Sequence, residues 1–146
     1  MKKLILMLVV ASAMVFGQAE GNQGKKKQAS QAKVLTRAEI DELLAKPEQV
    51  LIVDVRRPDE LTSNGGFPVY FSVQSGDLEK SLAFIPKDRT IIAVSNHAAR
   101  GARAADILTK AGFKVAGAAG AQDYESQGGK LTKLAPPPPN PNAKKQ

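Results

Sequence analysis

The apolar positions of the chain fall into five short runs separated by stretches with helical spacing. The runs cover residues 33–35, 50–53, 69–73, 90–94 and 113–116. The second and fourth are almost continuously apolar, which is typical of parallel strands covered on both faces. Strands that alternate with helices predict a small α/β domain with a mostly parallel, roughly five-stranded sheet and helices on both faces.

Residues that cap helices mark several element boundaries. Thr36 and Glu39 have the spacing of a capping box, so a helix is expected to start after Thr36. A helix is predicted over 100–111, with Gly112 as its C-terminal stop. Beyond the fifth run, the Gly- and Ala-rich stretch that contains Tyr124 predicts a turn followed by irregular chain.

The first 19 residues have the composition of a cleaved secretory signal. Lys2 and Lys3 precede a short apolar run, and small residues lie near a cleavage point after Ala19. The apolar run is shorter than the roughly 20 residues that a membrane-spanning helix needs, so no stable membrane anchor is expected. The predicted location is periplasmic or secreted.

Composition divides the chain into four parts. We expect a signal peptide at 1–19, a basic disordered linker at 20–32, a folded domain at 33–134 and a proline-rich disordered tail at 135–146. The linker lacks apolar residues that could form a core. The tail contains four consecutive prolines, which favour an extended conformation.

The net charge of +7 comes from the ends of the chain. Residues 34–134 contain thirteen basic and thirteen acidic side chains, so a basic face for nucleic acid is not predicted. The chain has no cysteine, which excludes disulfides and a lipid anchor on cysteine. Without thiolates and with a single histidine, no metal site and no cofactor is expected.

The candidate functional loop is SNHAAR, residues 95–100, between the fourth strand and the helix after it. The carboxyl ends of parallel strands are where ligand sites gather. Backbone N–H groups at a helix N-terminus attract anions, and Arg100 offers a guanidinium fork for an oxyanion. The pattern predicts an anion-binding loop.

Several short motifs occur together in an order that resembles the rhodanese-like family. Asp54, Arg56, Pro58 and Glu60 are similar to the family's D-x-R-x-P-x-E motif. Further matches are the strand, loop and helix from Thr90, together with the stretches Gly66-Phe67-Pro68, Ala111-Gly112-Phe113 and Ala119-Gly120 with Tyr124.

The resemblance implies a loop C-x-x-x-x-R whose cysteine takes up sulfane sulfur as a persulfide and passes it to cyanide or a thiol. Ser95 corresponds to that cysteine and Arg100 to the arginine. The related phosphatases have a loop one residue longer, which argues against that activity. Ala98 stands where the family often has glycine, and Gly101 where it often has serine.

A serine at position 95 changes the chemistry. A free thiol has a pKa near about 8.5 and is nucleophilic as the thiolate, whereas a hydroxyl stays protonated unless a base removes its proton. Persulfide transfer also needs sulfur as the leaving atom. Ser95 is therefore not expected to perform cysteine persulfide transfer.

Four functions remain open at this point. The favoured one is a non-catalytic module that binds thiosulfate, sulfate or a protein carboxylate. The second is a sulfurtransferase in which the substrate, for example glutathione persulfide, carries the reactive sulfur. The third is an interaction protein with a vestigial loop and an unknown partner. The fourth is a serine hydrolase using Ser95, His97 and Asp54, which needs these side chains to converge.

The predicted site consists of the loop and three supporting side chains. Asp54 and Arg56 are expected to brace the turn after the central strand, and Arg103 lies one helical turn beyond the loop's arginine. The predicted anion-binding loop comprises Ser95, Asn96, His97, Ala98, Ala99 and Arg100.

Overall fold

The computed structural model describes residues 29–133. The predicted signal peptide, most of the predicted linker and all of the predicted tail lie outside these residues. The helices and strands, in chain order, are α1 Arg37–Leu44, β1 Val50–Asp54, α2 Pro58–Asn64, β2 Tyr70–Ser72, α3 Leu78–Ser81 with a 3₁₀ turn at Leu82–Phe84, β3 Thr90–Ser95, α4 Ala98–Lys110, β4 Val115–Gly120 and α5 Ala121–Ser126.

The described part of the chain forms a sheet of four strands in the order β2-β1-β3-β4, with every neighbouring pair parallel. The prediction of five strands was wrong, because the first run makes only one bridge, between Val34 and Ala118. Thr36, two residues later, already caps α1. The segment is therefore too short to extend along β4.

Helices pack on both faces of this sheet, as the nearly continuous apolar runs predicted. All five residues of β1 are buried, and so are the last five of β3. One face carries α3 and α4, which contribute Leu78 and Leu108 to its core. The other carries α1 and α5, which contribute Ile40 and Tyr124.

Capping explains where two of the helices begin and end. The Thr36 and Glu39 capping box is present at the start of α1. Helix α4 begins at Ala98, two residues before the predicted start, and the backbone N–H of Ala98 donates to the carboxylate of Asp123. It ends before Gly112, which adopts a φ of 82° that suits glycine.

The last helix, α5, was missed by the sequence analysis. The stretch around Tyr124 was predicted to be a turn, and β4 was placed at 113–116 rather than at its observed position. Strand β4 has the sequence VAGAAG, whose small residues have weak strand propensity. Tyr124 is buried, its ring centroid lies 4.9 Å from that of Phe67, and its hydroxyl donates to Asp41 at 2.5 Å.

None of the helices within residues 29–133 has the length and apolar character needed to cross a membrane.

Helix α4 lies close to the sheet at Gly101. A Cβ placed there would stand 2.7 Å from the carbonyl oxygen of Ala93 and 3.4 Å from that of Ala119. We expect Gly101→Ala to lower the free energy of unfolding by about 1–3 kcal/mol, because the clash outweighs the helix propensity gained. Urea denaturation would measure this change.

Gly76→Ala is the matched control, since a Cβ at Gly76 meets no atom within 4 Å. If Gly101→Ala were as stable as the wild type, the prediction would be wrong, because α4 could then move away from the strands without lowering the free energy of unfolding.

Candidate functional site

The candidate loop joins β3 to α4 at the carboxyl end of the sheet. Ser95 is the last residue of β3 and is fully buried. Its Oγ donates to the backbone carbonyl oxygen of His97 at 2.5 Å and accepts a hydrogen bond from the backbone N–H of Gly101 at 2.9 Å. The Ser95 hydroxyl thus makes both of its hydrogen bonds to backbone groups of the loop and of the start of α4.

The imidazole of His97 points away from Ser95. Its side chain is 70% exposed, and its Nδ1 lies 2.8 Å from Oδ1 of Asp123. The other oxygen of Asp123 accepts a hydrogen bond from the backbone N–H of Ala98 at 3.2 Å. A carboxylate from α5 therefore lies at the N-terminus of α4, where the partial positive charge of the helix favours an anion.

The side chains of the hydrolase hypothesis do not converge. Ser95 contacts the carbonyl of His97 rather than its ring, and Asp54 is paired with Arg56. The carboxylate that meets the imidazole is Asp123, which the sequence analysis did not single out because it lies on the missed helix α5.

Arg56 and Asp54 form a buried ion pair, each with about 1% of its surface exposed. Arg56 donates from Nη2 to Asp54 Oδ2 at 2.7 Å and from Nε to Oδ1 at 2.9 Å. Its Nη2 also donates to the carbonyl of Gly65 at 2.9 Å, and Nη1 lies 3.4 Å from Oδ1 of Asn96. These bonds connect the end of β1 with the loop.

Arg100 is held by Glu60, a residue of α2 that the sequence analysis quoted only for its motif. Nη1 of Arg100 donates to Oε2 at 3.0 Å, and Nη2 donates to Oε1 at 2.5 Å. Glu60 also accepts from Nδ2 of Asn96 at 2.8 Å and from the backbone N–H of Arg57 at 2.9 Å. The Arg100 fork is thus engaged by a carboxylate of the same chain.

This pairing shifts the pKa values of both partners. The hydrogen bonds from Arg100 lower the pKa of Glu60 from 4.5 to about 2, although its burial opposes the shift. The same contact raises the pKa of Arg100. The pair is therefore ionised at neutral pH.

Four backbone donors of the loop remain. The N–H groups of Asn96, His97, Ala99 and Arg100 have no acceptor within residues 29–133. Arg103 lies apart from this group, because its exposed side chain lines a cavity of about 650 Å³ between α4 and residues 29–32. No residue of the loop 95–100 lines that cavity. Of the predicted supporting residues, Asp54 and Arg56 adjoin the loop and Arg103 faces elsewhere.

The described residues include no cluster of histidine, aspartate and glutamate side chains that could hold a metal ion.

Comparison with known proteins assigns the fold. Neither a family model nor a curated protein matches the sequence. A rhodanese-related protein from Thermoplasma volcanium superposes with a TM-score of 0.62 at 19% identity, covering 70% of this chain and 99% of that one. A protein of unknown function from Rhodopseudomonas palustris, described as a possible tyrosine phosphatase, gives 0.61 at 26% identity, covering 68% and 84%.

A third solved structure, the thiosulfate sulfurtransferase from Pseudomonas aeruginosa, gives a TM-score of 0.57 at 24% identity. It aligns with 68% of this chain, which spans only 20% of that enzyme. The parallel sheet and the helices on both its faces define a small α/β domain whose fold is shared with these solved structures. More narrowly, the chain has the rhodanese-like fold, as the sequence motifs implied.

The lowered pKa of Glu60 predicts how stability changes with pH. A carboxyl whose pKa falls on folding stabilises the native state above about pH 4.5, and this contribution is lost as the pH falls toward about 2. We expect the wild type to be more stable than Glu60→Gln at pH 6, with the difference shrinking between about pH 4.5 and 2. Urea denaturation across this range measures it.

Glu48→Gln removes an exposed carboxyl for which no ion pair is found within residues 29–133, and serves as the control. A wild-type advantage over Glu60→Gln that stays constant down to pH 2 would contradict the assigned ion pair.

Proposed function

We propose that this protein is an exported, non-catalytic domain of rhodanese-like fold whose loop binds a small oxyanion such as thiosulfate or sulfate. One observation carries the proposal: the buried Ser95 hydroxyl lies at the end of β3 with its hydrogen bonds directed into the loop. The signal-like sequence at 1–19 supports export to the periplasm or the exterior.

The environment of Ser95 argues against catalysis. To attack a substrate, its oxygen would have to lose a proton that is donated to the carbonyl of His97. A backbone carbonyl is not a useful base, and the imidazole of His97 is turned to Asp123. The hydroxyl therefore lacks the general base that an activated serine requires.

The surroundings of the loop support weak anion binding. The N–H groups of Ala99 and Arg100 lie at the start of α4, where the helix favours negative charge. Glu60 engages two of the five N–H donors of the Arg100 guanidinium, whose side chain is 31% exposed. Because Glu60 already occupies part of the Arg100 guanidinium and Asp123 already places a negative charge at the start of α4, we expect a Kd on the order of millimolar.

A second candidate is an interaction module with a vestigial loop. The observation that favours it is that carboxylates of the chain itself, Glu60 and Asp123, already bind Arg100 and the N-terminus of α4. On this view the protein's partner would bind elsewhere.

Replacement of the serine tests whether only the nucleophile is missing. We expect the wild type to form no thiocyanate from thiosulfate and cyanide, and Ser95→Cys to form it measurably. A cysteine thiolate near the N-terminus of α4 can take the sulfane sulfur and release sulfite, after which cyanide removes that sulfur and restores the thiolate. Colorimetric detection of thiocyanate measures the product.

Ser95→Ala is the control for contaminating activity and should remain inactive. Turnover by the wild type above that of Ser95→Ala would contradict a non-catalytic role and favour a reaction on substrate-borne sulfur. Inactivity of Ser95→Cys would indicate that the loop cannot support the transfer even when sulfur is supplied.

Thermal denaturation with added thiosulfate tests binding. Ligand at ten times its Kd stabilises a protein by about 1.4 kcal/mol, so the wild-type Tm should rise saturably. Arg100→Ala should lose this rise because it removes the guanidinium donors. Arg103→Ala, which removes the same charge from the same helix outside the loop, should retain it.

A parallel titration with sodium chloride at equal ionic strength is the control, because it gives the change in Tm that charge screening alone produces. Absence of a saturable rise in the wild type would reject oxyanion binding and favour the interaction module. Equal loss in Arg100→Ala and Arg103→Ala would reject the loop as the binding site.

A further inference from the structure

A cavity separate from the one beside Arg103 lies at the opposite end of the sheet from the loop. Its volume is about 440 Å³, within the range of about 300–1,000 Å³ that is common for small-molecule sites. It opens where β1 and β3 begin. The cavity is lined by Lys33, Leu35, Glu39, Glu42, Leu43, Lys46, Gln49, Val50, Thr90, Lys114 and Ala116.

An irregularity in strand pairing shapes this cavity. Ile91 pairs with Val115 and Ile92 with Gly117, so Ala116 is an extra residue in β4. Such bulges bend a strand and redirect a side chain, and Ala116 lines the cavity.

The adjoining glycine lets residues 33–35 approach the bulge. A Cβ on Gly117 would stand 2.5 Å from the carbonyl oxygen of Lys33 and 3.0 Å from the side chain of Leu35. The absence of a side chain at this position thus allows Lys33 and Leu35 to form one wall.

The cavity combines apolar and charged surfaces. Val50 and Leu35 are buried, while Leu43 and Ala116 are partly buried and expose apolar surface to it. Long exposed side chains surround them, including three lysines. A ligand with an apolar body and one charged end would match this arrangement of apolar lining and charged rim.

The rim has an excess of positive charge. Lys33 forms an ion pair with Glu39, so these two charges are compensated. Within residues 29–133, Lys46 and Lys114 form no ion pair, and Glu42 is the remaining carboxylate of the lining. The charged end of a matching ligand is therefore an anion.

We propose that this cavity binds an amphiphilic carboxylate, with its alkyl chain on Leu43 and Ala116 and its carboxylate beside Lys46 and Lys114. The proposal is independent of the anion-binding loop, because the cavity contains none of the residues 95–100.

Decanoate, below its aggregation concentration, is a suitable probe, and decanol is the neutral probe of equal chain length. Isothermal titration calorimetry should show saturable binding of decanoate and weaker binding of decanol. Charge reversal in Lys114→Glu should weaken decanoate binding about three- to tenfold, because an attraction becomes a repulsion. Lys130→Glu changes the net charge equally outside the cavity and should bind as the wild type does.

Amide chemical shifts give a second measurement that does not depend on a variant. Decanoate should shift the amides of Thr90 and Ala116, and leave those of residues 95–100 unchanged. No saturable binding, equal affinity for decanol, equal weakening by Lys114→Glu and Lys130→Glu, or shifts concentrated at the loop would each overturn the proposal.

Discussion

The shape of the candidate loop depends on the burial of one guanidinium, that of Arg56. A buried cation is unfavourable unless partners replace the water it loses. Asp54 supplies the opposite charge, and Gly65 and Asn96 accept further hydrogen bonds. These three partners come from the end of β1, the residue after α2 and the loop itself. Arg56 thereby links the end of β1 and the residue after α2 to Asn96 of the loop.

Ser95 fits this loop structurally, and its hydroxyl determines which chemistry the loop can perform. The hydroxyl of Ser95 connects the strand to the start of α4 through Gly101 and closes the turn through His97. A hydroxyl suits this task because it donates and accepts at once. The same two bonds occupy its proton and a lone pair, and thereby reduce its value as a nucleophile.

Electrostatics differ between the two ends of the sheet. At the carboxyl end, Glu60 and Asp123 engage the positive groups of the loop, so an external anion has to compete with them. At the amino end, Lys46 and Lys114 form no ion pair within the described residues, and the apolar surface beside them is open. The fold therefore has a polar site with compensated charges at one end of the sheet and a cavity with apolar and basic lining at the other.

The sequence by itself determined the elements with strong local signals and the chemistry available at position 95. Strands β1 and β3 were predictable because both their faces are apolar, and α1 because its capping box is local. Strand β4 and helix α5 were misjudged, since the small residues of β4 have weak strand propensity and Gly117 reflects close packing against residues 33–35, which are distant in sequence. Only the tertiary structure decided that Glu60 holds Arg100 and Asp123 meets His97, across 40 and 26 residues of chain. No local pattern encodes such pairs, because strand order decides which distant side chains meet.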